Sequence, residues 1–80
     1  MSDMSRLRWL CRRGMKELDL LLKNYIEHSY PAAPLADKQA FESILQMPDP
    51  ELYDLILGRT DSGNKDVARV IKTLRDSLSE

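Results

Sequence analysis

The chain has little of what would fix its structure covalently or place it in a membrane. It contains one cysteine, Cys11, so no internal disulfide and no metal site built on paired cysteines can form. No apolar run approaches the roughly 20 residues of a membrane-crossing helix, because Asp19 and Lys23 interrupt the stretch around residues 18–22. No signal peptide is recognisable either, since the arginine-rich start leads directly into a helical pattern. We therefore expect a mature protein in a bacterial-type cytoplasm.

Catalytic motifs are also lacking. No glycine-rich phosphate loop follows a strand, and neither a metal-ligand cluster nor a catalytic triad is recognisable. His28 is the only histidine, and Cys11 falls on a predicted buried stripe, so a nucleophilic pair and a metal site are both disfavoured. We expect that the protein is not an enzyme.

What remains is a chain of 80 residues with 42% hydrophobic and 31% charged side chains, which is typical of one folded domain spanning residues 1–80. The net charge of -1 hides an uneven distribution. Five basic residues and one acidic residue give the first sixteen positions a charge of +4, whereas seven basic and twelve acidic residues give the rest -5. A basic end on an acidic protein indicates an oriented encounter with a partner.

Apolar residues recur at helical spacing along most of the chain, and Gly and Pro separate the segments. The first predicted helix runs from Met4 to Arg12, with Gly14 placed to end it in a left-handed turn. Arg12 and Arg13 then lie where cations favour a helix C-terminus. The second helix runs from Met15 to His28. The two apolar stripes consist of Leu7, Leu10 and Cys11, and of Leu18, Leu21, Leu22, Tyr25 and Ile26.

Three more helices are predicted after a proline-rich connector, residues 30–34, which we expect to be extended. They run from Leu35 to Gln46, from Pro50 to near Gly58, and from Asn64 onward, with Asp49 and Asn64 as N-caps. Their stripes consist of Phe41, Ile44 and Leu45, of Leu52, Leu55 and Ile56, and of Val67, Val70, Ile71, Leu74 and Leu78. No segment alternates with period two for long, so the sequence predicts an all-α, single compact five-helix bundle.

The segment between the first two helices carries more charge than a turn requires. It reads Arg13-Gly14-Met15-Lys16-Glu17 and closely resembles the Arg-Gly-x-x-Glu motif of the SdhE family, the FAD assembly factors of succinate dehydrogenase. The resemblance extends to the family's size and helix order, and to Arg6, Trp9, Glu27-His28-x-Tyr30, Phe41 and Asp49-Pro50-x-Leu52. Pro31 and Pro34 depart from the family pattern in the connector only.

The resemblance implies binding to the flavoprotein subunit of succinate dehydrogenase, and often of fumarate reductase, before the complex assembles. It implies that the protein promotes the covalent bond between FAD and a histidine of that client. Both the flavin and the histidine belong to the client, so no cofactor is expected to stay on this chain. We expect the free protein to be a monomer.

The resemblance also implies partner-binding residues. Gly14 would let the turn approach the client backbone, Arg13 would bind client carboxylate or carbonyl groups, and Glu17 would accept hydrogen bonds near the flavin. The remaining candidates are three basic residues and one aromatic anchor, namely Arg6, Arg8, Arg12 and Trp9.

Each of these residues has a structural alternative. Gly14 and the two arginines beside it would only terminate the first helix, Glu17 would bond free backbone N–H groups of the second, and Trp9 would be core.

Two other functions compete with the assembly factor. A small DNA-binding regulator would use the basic start or the last helix, whose basic residues are Lys65, Arg69, Lys72 and Arg75. The acidic balance of the chain and the lack of a polar recognition helix count against it. An antitoxin-like adaptor is compatible with the composition and would differ in its partner.

Overall fold

Five α-helices account for most of residues 4–78, the part of the chain that a computed structural model describes. They are α1 (Met4–Leu10), α2 (Lys16–His28), α3 (Leu35–Leu45), α4 (Asp49–Leu57) and α5 (Lys65–Leu78). No β-strand occurs in residues 4–78, and the all-α prediction is confirmed. No helix in the same range is long and apolar enough to cross a bilayer.

All five helices contribute to one hydrophobic core, with α5 at its centre. This helix packs against α2, α3 and α4, while α1 packs against α2. The core buries the predicted stripes and, in addition, Tyr30 and Ala40. Of the predicted stripes, Leu10 is only partly buried, and the side chain of Leu78 lies outside the described part of the chain. Phe41 is fully buried, and its ring stacks on Tyr25 with 4.5 Å between ring centroids.

The sequence predicted an extended connector before α3, which is wrong for residues 30–32 and confirmed for Ala33 and Pro34. Tyr30–Ala32 form one turn of 3-10 helix, in which the N–H of Ala33 donates to the carbonyl of Tyr30 at 3.1 Å. The fixed φ of Pro31 suits the first positions of a helix, and the turn buries the ring of Tyr30 at 5.7 Å from that of Phe41. The restriction that a proline places on its predecessor is obeyed at Ala33, which is extended.

Around α4 and α5, the predicted roles of Gly58 and Asn64 at helix ends are confirmed, and that of Asp49 is wrong. Gly58 ends α4 in the left-handed region with φ of 80°, and the side-chain oxygen of Asn64 accepts the N–H of Asp66 and of Val67 at 2.8 and 3.1 Å. Asp49 is not the N-cap of α4. Pro48 holds that position without a side-chain hydrogen bond, and Asp49 begins the helix with its carboxylate bound to Arg13 instead.

The first two helices are shorter than predicted, so a longer segment joins them. Helix α1 ends at Leu10 rather than Arg12, and α2 begins at Lys16 rather than Met15. We call residues 11–15 the α1–α2 turn. Gly14 has a positive φ of 81°, as predicted, but it lies well past the end of α1 and directly before Met15, the N-cap of α2. Gly14 therefore sets the direction in which the chain enters α2, and it does not cap α1.

Candidate docking surface at the turn between the first two helices

The outer side of the α1–α2 turn faces solvent. Gly14 and Lys16 are exposed, and Met15 retains 37% of its accessible area. Among the described residues, no atom beyond the chain neighbours of Gly14 would lie within 4 Å of an added Cβ, so packing inside the protein does not require glycine here. The positive φ does favour it. The backbone of the bend is exposed at Gly14, and a second molecule can approach it closely.

The side chain of Arg13 points in the opposite direction, into the protein. Its Nη1 donates to the carbonyl of Met47 at 2.7 Å and to the carboxylate of Asp49 at 3.1 Å. Its Nη2 donates to the carbonyl of Leu45 and, at 3.4 Å, to that of Ile44. We call residues 44–49 the α3–α4 corner. Only 11% of the Arg13 side chain is exposed, so the guanidinium binds this corner rather than solvent.

Arg13 thus binds the carbonyl groups at the C-terminal end of a helix. This helix is α3, whereas the sequence had suggested α1. The last carbonyls of a helix lack intrahelical partners and carry partial negative charge. At the end of α3 these groups include the carbonyls of Ile44 and Leu45, both bound by Arg13. The predicted role at the end of α1 is therefore wrong for Arg13, whose guanidinium binds the end of α3.

The backbone of the turn is fixed as well. The N–H of Arg13 donates to Oδ1 of Asp19, in the first turn of α2, at 2.5 Å. Arg13 is therefore held by its backbone to α2 and by its side chain to the α3–α4 corner. Gly14 follows it directly, so these contacts determine where the exposed bend lies.

Glu17 is exposed and does not bond the free N–H groups at the start of α2, since that helix has no side-chain cap. The capping alternative for Glu17 is therefore wrong. Its Oε2 instead accepts a hydrogen bond from the hydroxyl of Tyr53, on α4, at 3.2 Å. A carboxylate at this position keeps lone pairs directed to solvent and available to a partner.

Trp9 is 70% exposed, which rules out the alternative that it belongs to the core. Arg6, Arg8 and Arg12 are exposed too. These side chains, Gly14 and Glu17 all lie within residues 6–17 and are exposed, although buried residues such as Leu7 and Cys11 lie between them in the sequence. We call this set the docking surface: Arg6, Arg8, Trp9, Arg12, Gly14 and Glu17.

Some residues of the docking surface line two open hollows. Arg8 and Arg12 line a groove of about 300 Å³ between α1 and α2, and Gly14 lies in a shallower depression beside Leu20. The two hollows share Asp19 and Lys23, so they adjoin each other. Arg6 and Trp9 line neither of them. The structure therefore brings Arg8, Arg12 and Gly14 together, while Glu17 is held towards α4.

Three residues near the docking surface were not predicted from the sequence. Leu20 is 67% exposed and lies beside Gly14, and Lys23 lines both hollows. Leu20 could have been found from the sequence, because it is an apolar residue outside the stripe of its helix. Tyr53 could not, because its contact with Glu17 joins residues that are 36 positions apart.

Cys11 lies under the groove and is buried, as predicted, with 3% of its area exposed. Burial raises the pKa of its thiol to about 11, and the nearby positive charge of Arg13 only partly opposes this effect. A thiol with such a pKa is almost fully protonated near neutral pH and is a poor nucleophile. Within residues 4–78, no His, Cys, Asp and Glu side chains are grouped to hold a metal ion.

The basic stripe of α5 is partly used inside the protein. Arg69 forms ion pairs with Asp37 and Asp66. Arg75 donates to the carbonyls of Ile56 and Leu55, at the end of α4, at 2.9 and 3.0 Å. Two of the four basic side chains therefore have intramolecular partners, which weakens the case for a nucleic-acid interface on α5.

The fold and the exposed bend define a small helical protein that presents one ordered turn to a partner. The model of the family described as flavinator of succinate dehydrogenase matches residues 5–78. This chain therefore belongs to that family. The resemblance of its Arg-Gly-x-x-Glu motif is confirmed by a match that covers the whole helical core.

Several relatives carry the name FAD assembly factor SdhE. The one from Coxiella burnetii is 36% identical over 74 residues, which cover 92% of this chain and 90% of the relative. The one from Methylococcus capsulatus is 37% identical and is covered to 90%, with 94% of this chain aligned. The one from a Serratia species is 38% identical over 71 residues, which cover 81% of that relative.

Cys11 provides a test of the buried face of the turn. We expect a maleimide reagent at about pH 8 to modify Cys11 far more slowly in the folded protein than in concentrated urea, because the folded thiol is both inaccessible and protonated. Mass spectrometry of the intact chain over time gives both rates. Equal rates in the two conditions would mean that the groove opens down to Cys11 and that the turn is not held.

Proposed function

We propose that this protein is an assembly factor that binds the flavoprotein subunit of succinate dehydrogenase and promotes its covalent attachment of FAD. One observation carries the proposal. In a chain of this family, the Arg-Gly-x-x-Glu segment forms a bend in which Gly14 is exposed, and among the described residues no atom beyond its chain neighbours would contact a Cβ placed there. The docking surface around this bend is the contact with the client.

The chemistry of the docking surface suits an oriented encounter. Arg6, Arg8 and Arg12 give it positive charge, which attracts acidic groups of a partner and speeds association. The exposed ring of Trp9 supplies a large apolar contact of the kind that dominates binding energy at interfaces. Glu17 adds a hydrogen-bond acceptor close to the bend. The positive charge speeds association with the client, while the bend and the ring of Trp9 determine the orientation in which the client binds.

The protein contributes position and no reacting group. The flavin can supply its own chemistry, and the acceptor histidine belongs to the client, so what the client lacks is a stable arrangement in which the two face each other. The open hollows of this chain do not suit FAD, because a ligand site encloses most of its ligand. We propose that the protein acts without a cofactor of its own and is not an enzyme.

The same surface serves the flavoprotein of fumarate reductase as a second client, since that subunit presents the same problem of joining FAD to a histidine. We propose that the protein acts as a monomer in the cytoplasm, before the client joins its membrane-bound partners. Release then follows once the flavin is attached and the client adopts its mature arrangement.

Two substitutions of Gly14 separate close approach from backbone conformation. Gly14→Ala and Gly14→Arg both place a side chain at positive φ, so each costs about 1–2 kcal/mol of stability by the left-handed strain alone. We expect Gly14→Arg to abolish flavinylation of the client and Gly14→Ala to leave most of it, because only the larger side chain keeps the client away from the bend.

The measurement uses the apo flavoprotein subunit, produced in cells that lack this protein, together with FAD. Flavin fluorescence of the denatured subunit on a gel reports the covalent bond, and circular dichroism verifies that both variants remain helical. Equal covalent flavin with and without the wild-type protein would refute the proposed function. Equal losses in the two variants would show instead that the conformation at Gly14, and not close approach, is what matters.

The role of Trp9 has a matched control in Leu35, at the start of α3, because both side chains are 70% exposed. We expect Trp9→Ala to weaken binding to the apo flavoprotein by about 2 kcal/mol, or roughly thirtyfold. We expect Leu35→Ala to have no effect, since α3 meets the α1–α2 turn at its other end. Titration calorimetry measures both affinities. A loss at Leu35 without a loss at Trp9 would place the client on a different face.

A further inference from the structure

We propose that Arg13 is a positioning residue, which fixes the exposed bend by binding the α3–α4 corner, and that Asp49 is its anchor. On this view Asp49 controls client binding without touching the client. The inference deepens the proposed function and rests on it, because it assigns the arginine of the Arg-Gly-x-x-Glu segment to the inside of this protein rather than to the interface.

The first support is that the guanidinium is already occupied. Both terminal nitrogens of Arg13 donate to the corner, to three carbonyls and to the carboxylate of Asp49. The remaining donor, Nε, is buried and has no hydrogen-bond partner among the described residues. Since only 11% of the side chain is exposed, a client would have to displace these contacts before it could bind the guanidinium.

Displacing the Arg13 guanidinium from the α3–α4 corner would also cost free energy. If Arg13 turned outward, the carbonyls of Leu45 and Met47 and the carboxylate of Asp49 would lose a charged donor at the end of α3. Groups left without a hydrogen-bond partner in a partly buried place are costly. New bonds to a client would have to compensate this loss as well as their own desolvation.

The third support is the position of Arg13 between two fixed points. Its N–H is bound by Asp19 of α2, and its side chain is bound by the corner, so both parts of the residue that precedes Gly14 are held. In the part of the chain that the structure describes, no atom beyond its chain neighbours packs where a Cβ of Gly14 would lie. Its order therefore depends on the neighbouring residue, and a bend that is already in place binds a partner with less loss of conformational freedom.

The substitution Asp49→Asn distinguishes a positioning role of Arg13 from direct contact with the client by the direction in which client affinity changes. Asp49→Asn weakens the anchor of Arg13. If Arg13 only positions the bend, binding of the client weakens. If Arg13 instead binds the client, the substitution removes an internal competitor for the guanidinium, and binding stays the same or becomes tighter.

The experiment measures affinity for the apo flavoprotein by titration calorimetry, at a temperature where circular dichroism shows every variant to be folded. We expect Asp49→Asn to weaken binding about tenfold and Arg13→Lys at least as much, because lysine lacks the planar fork that bonds several acceptors at once. The double variant is expected to bind no more weakly than Arg13→Lys alone, since both substitutions break the same link.

The matched control is Asp54→Asn, which removes the same charge from the same helix. Asp54 pairs with Arg59 at 3.5 Å, away from the corner, and its loss should leave the affinity unchanged. Unchanged or tighter binding by Asp49→Asn would overturn the proposal, and so would independent, additive losses in the double variant.

A second measurement needs no client and so separates this inference from the proposed function. In the free protein, Asp49→Asn and Arg13→Lys should each speed hydrogen exchange at the amides of residues 12–13, whose N–H groups donate to Trp9 and Asp19, while Asp54→Asn should not. Unchanged exchange in that segment would refute the positioning role, even if the wild-type protein bound the flavoprotein as proposed. Faster exchange would support it, even if the client proved to be a different protein.

Discussion

The guanidinium of Arg13 joins parts of the chain that are distant in sequence, since its acceptors lie 31 to 36 residues further along. It places a positive charge against the carbonyl end of α3 and beside the carboxylate that opens α4. Such a site combines charge-assisted hydrogen bonds with the compensation of a helix end. The exposed turn is ordered because of this contact, and the order does not depend on packing around the turn itself.

This division of roles suits a very small binding protein. The apolar core, centred on α5, consumes most of the hydrophobic side chains and stabilises the fold. That leaves little apolar area for a deep pocket, and the hollows on the surface are open. A short ordered turn with exposed backbone is a way to recognise a partner without a cavity, because it brings backbone into contact with the other molecule. Gly14 adds no side chain to this turn and allows the positive φ that the turn adopts.

The helices and their buried faces were predictable because they depend on local spacing. The stripe of α2, for example, is the set of residues that the core buries, and Asn64 caps α5 as its side chain and position suggested. Predictions were wrong where a residue distant in sequence binds or packs against the side chain in question. Asp49 had the chemistry of an N-cap, yet Arg13 takes its carboxylate, and Tyr30 bends the connector because its ring gains a buried place beside Phe41. The motif itself was recognised from sequence, but the inward direction of Arg13 needed the tertiary structure.

Hydrogen exchange of the wild-type protein, with and without the apo flavoprotein subunit, tests the central claim most directly. The first amides of a helix lack intrahelical acceptors, and α2 has no side-chain cap, so amides at residues 14–17 should exchange fast in the free protein. The account predicts that binding slows exchange there and at the end of α1, and leaves the exposed face of α5 unchanged. Protection confined to α5, with the turn still exchanging freely, would contradict it.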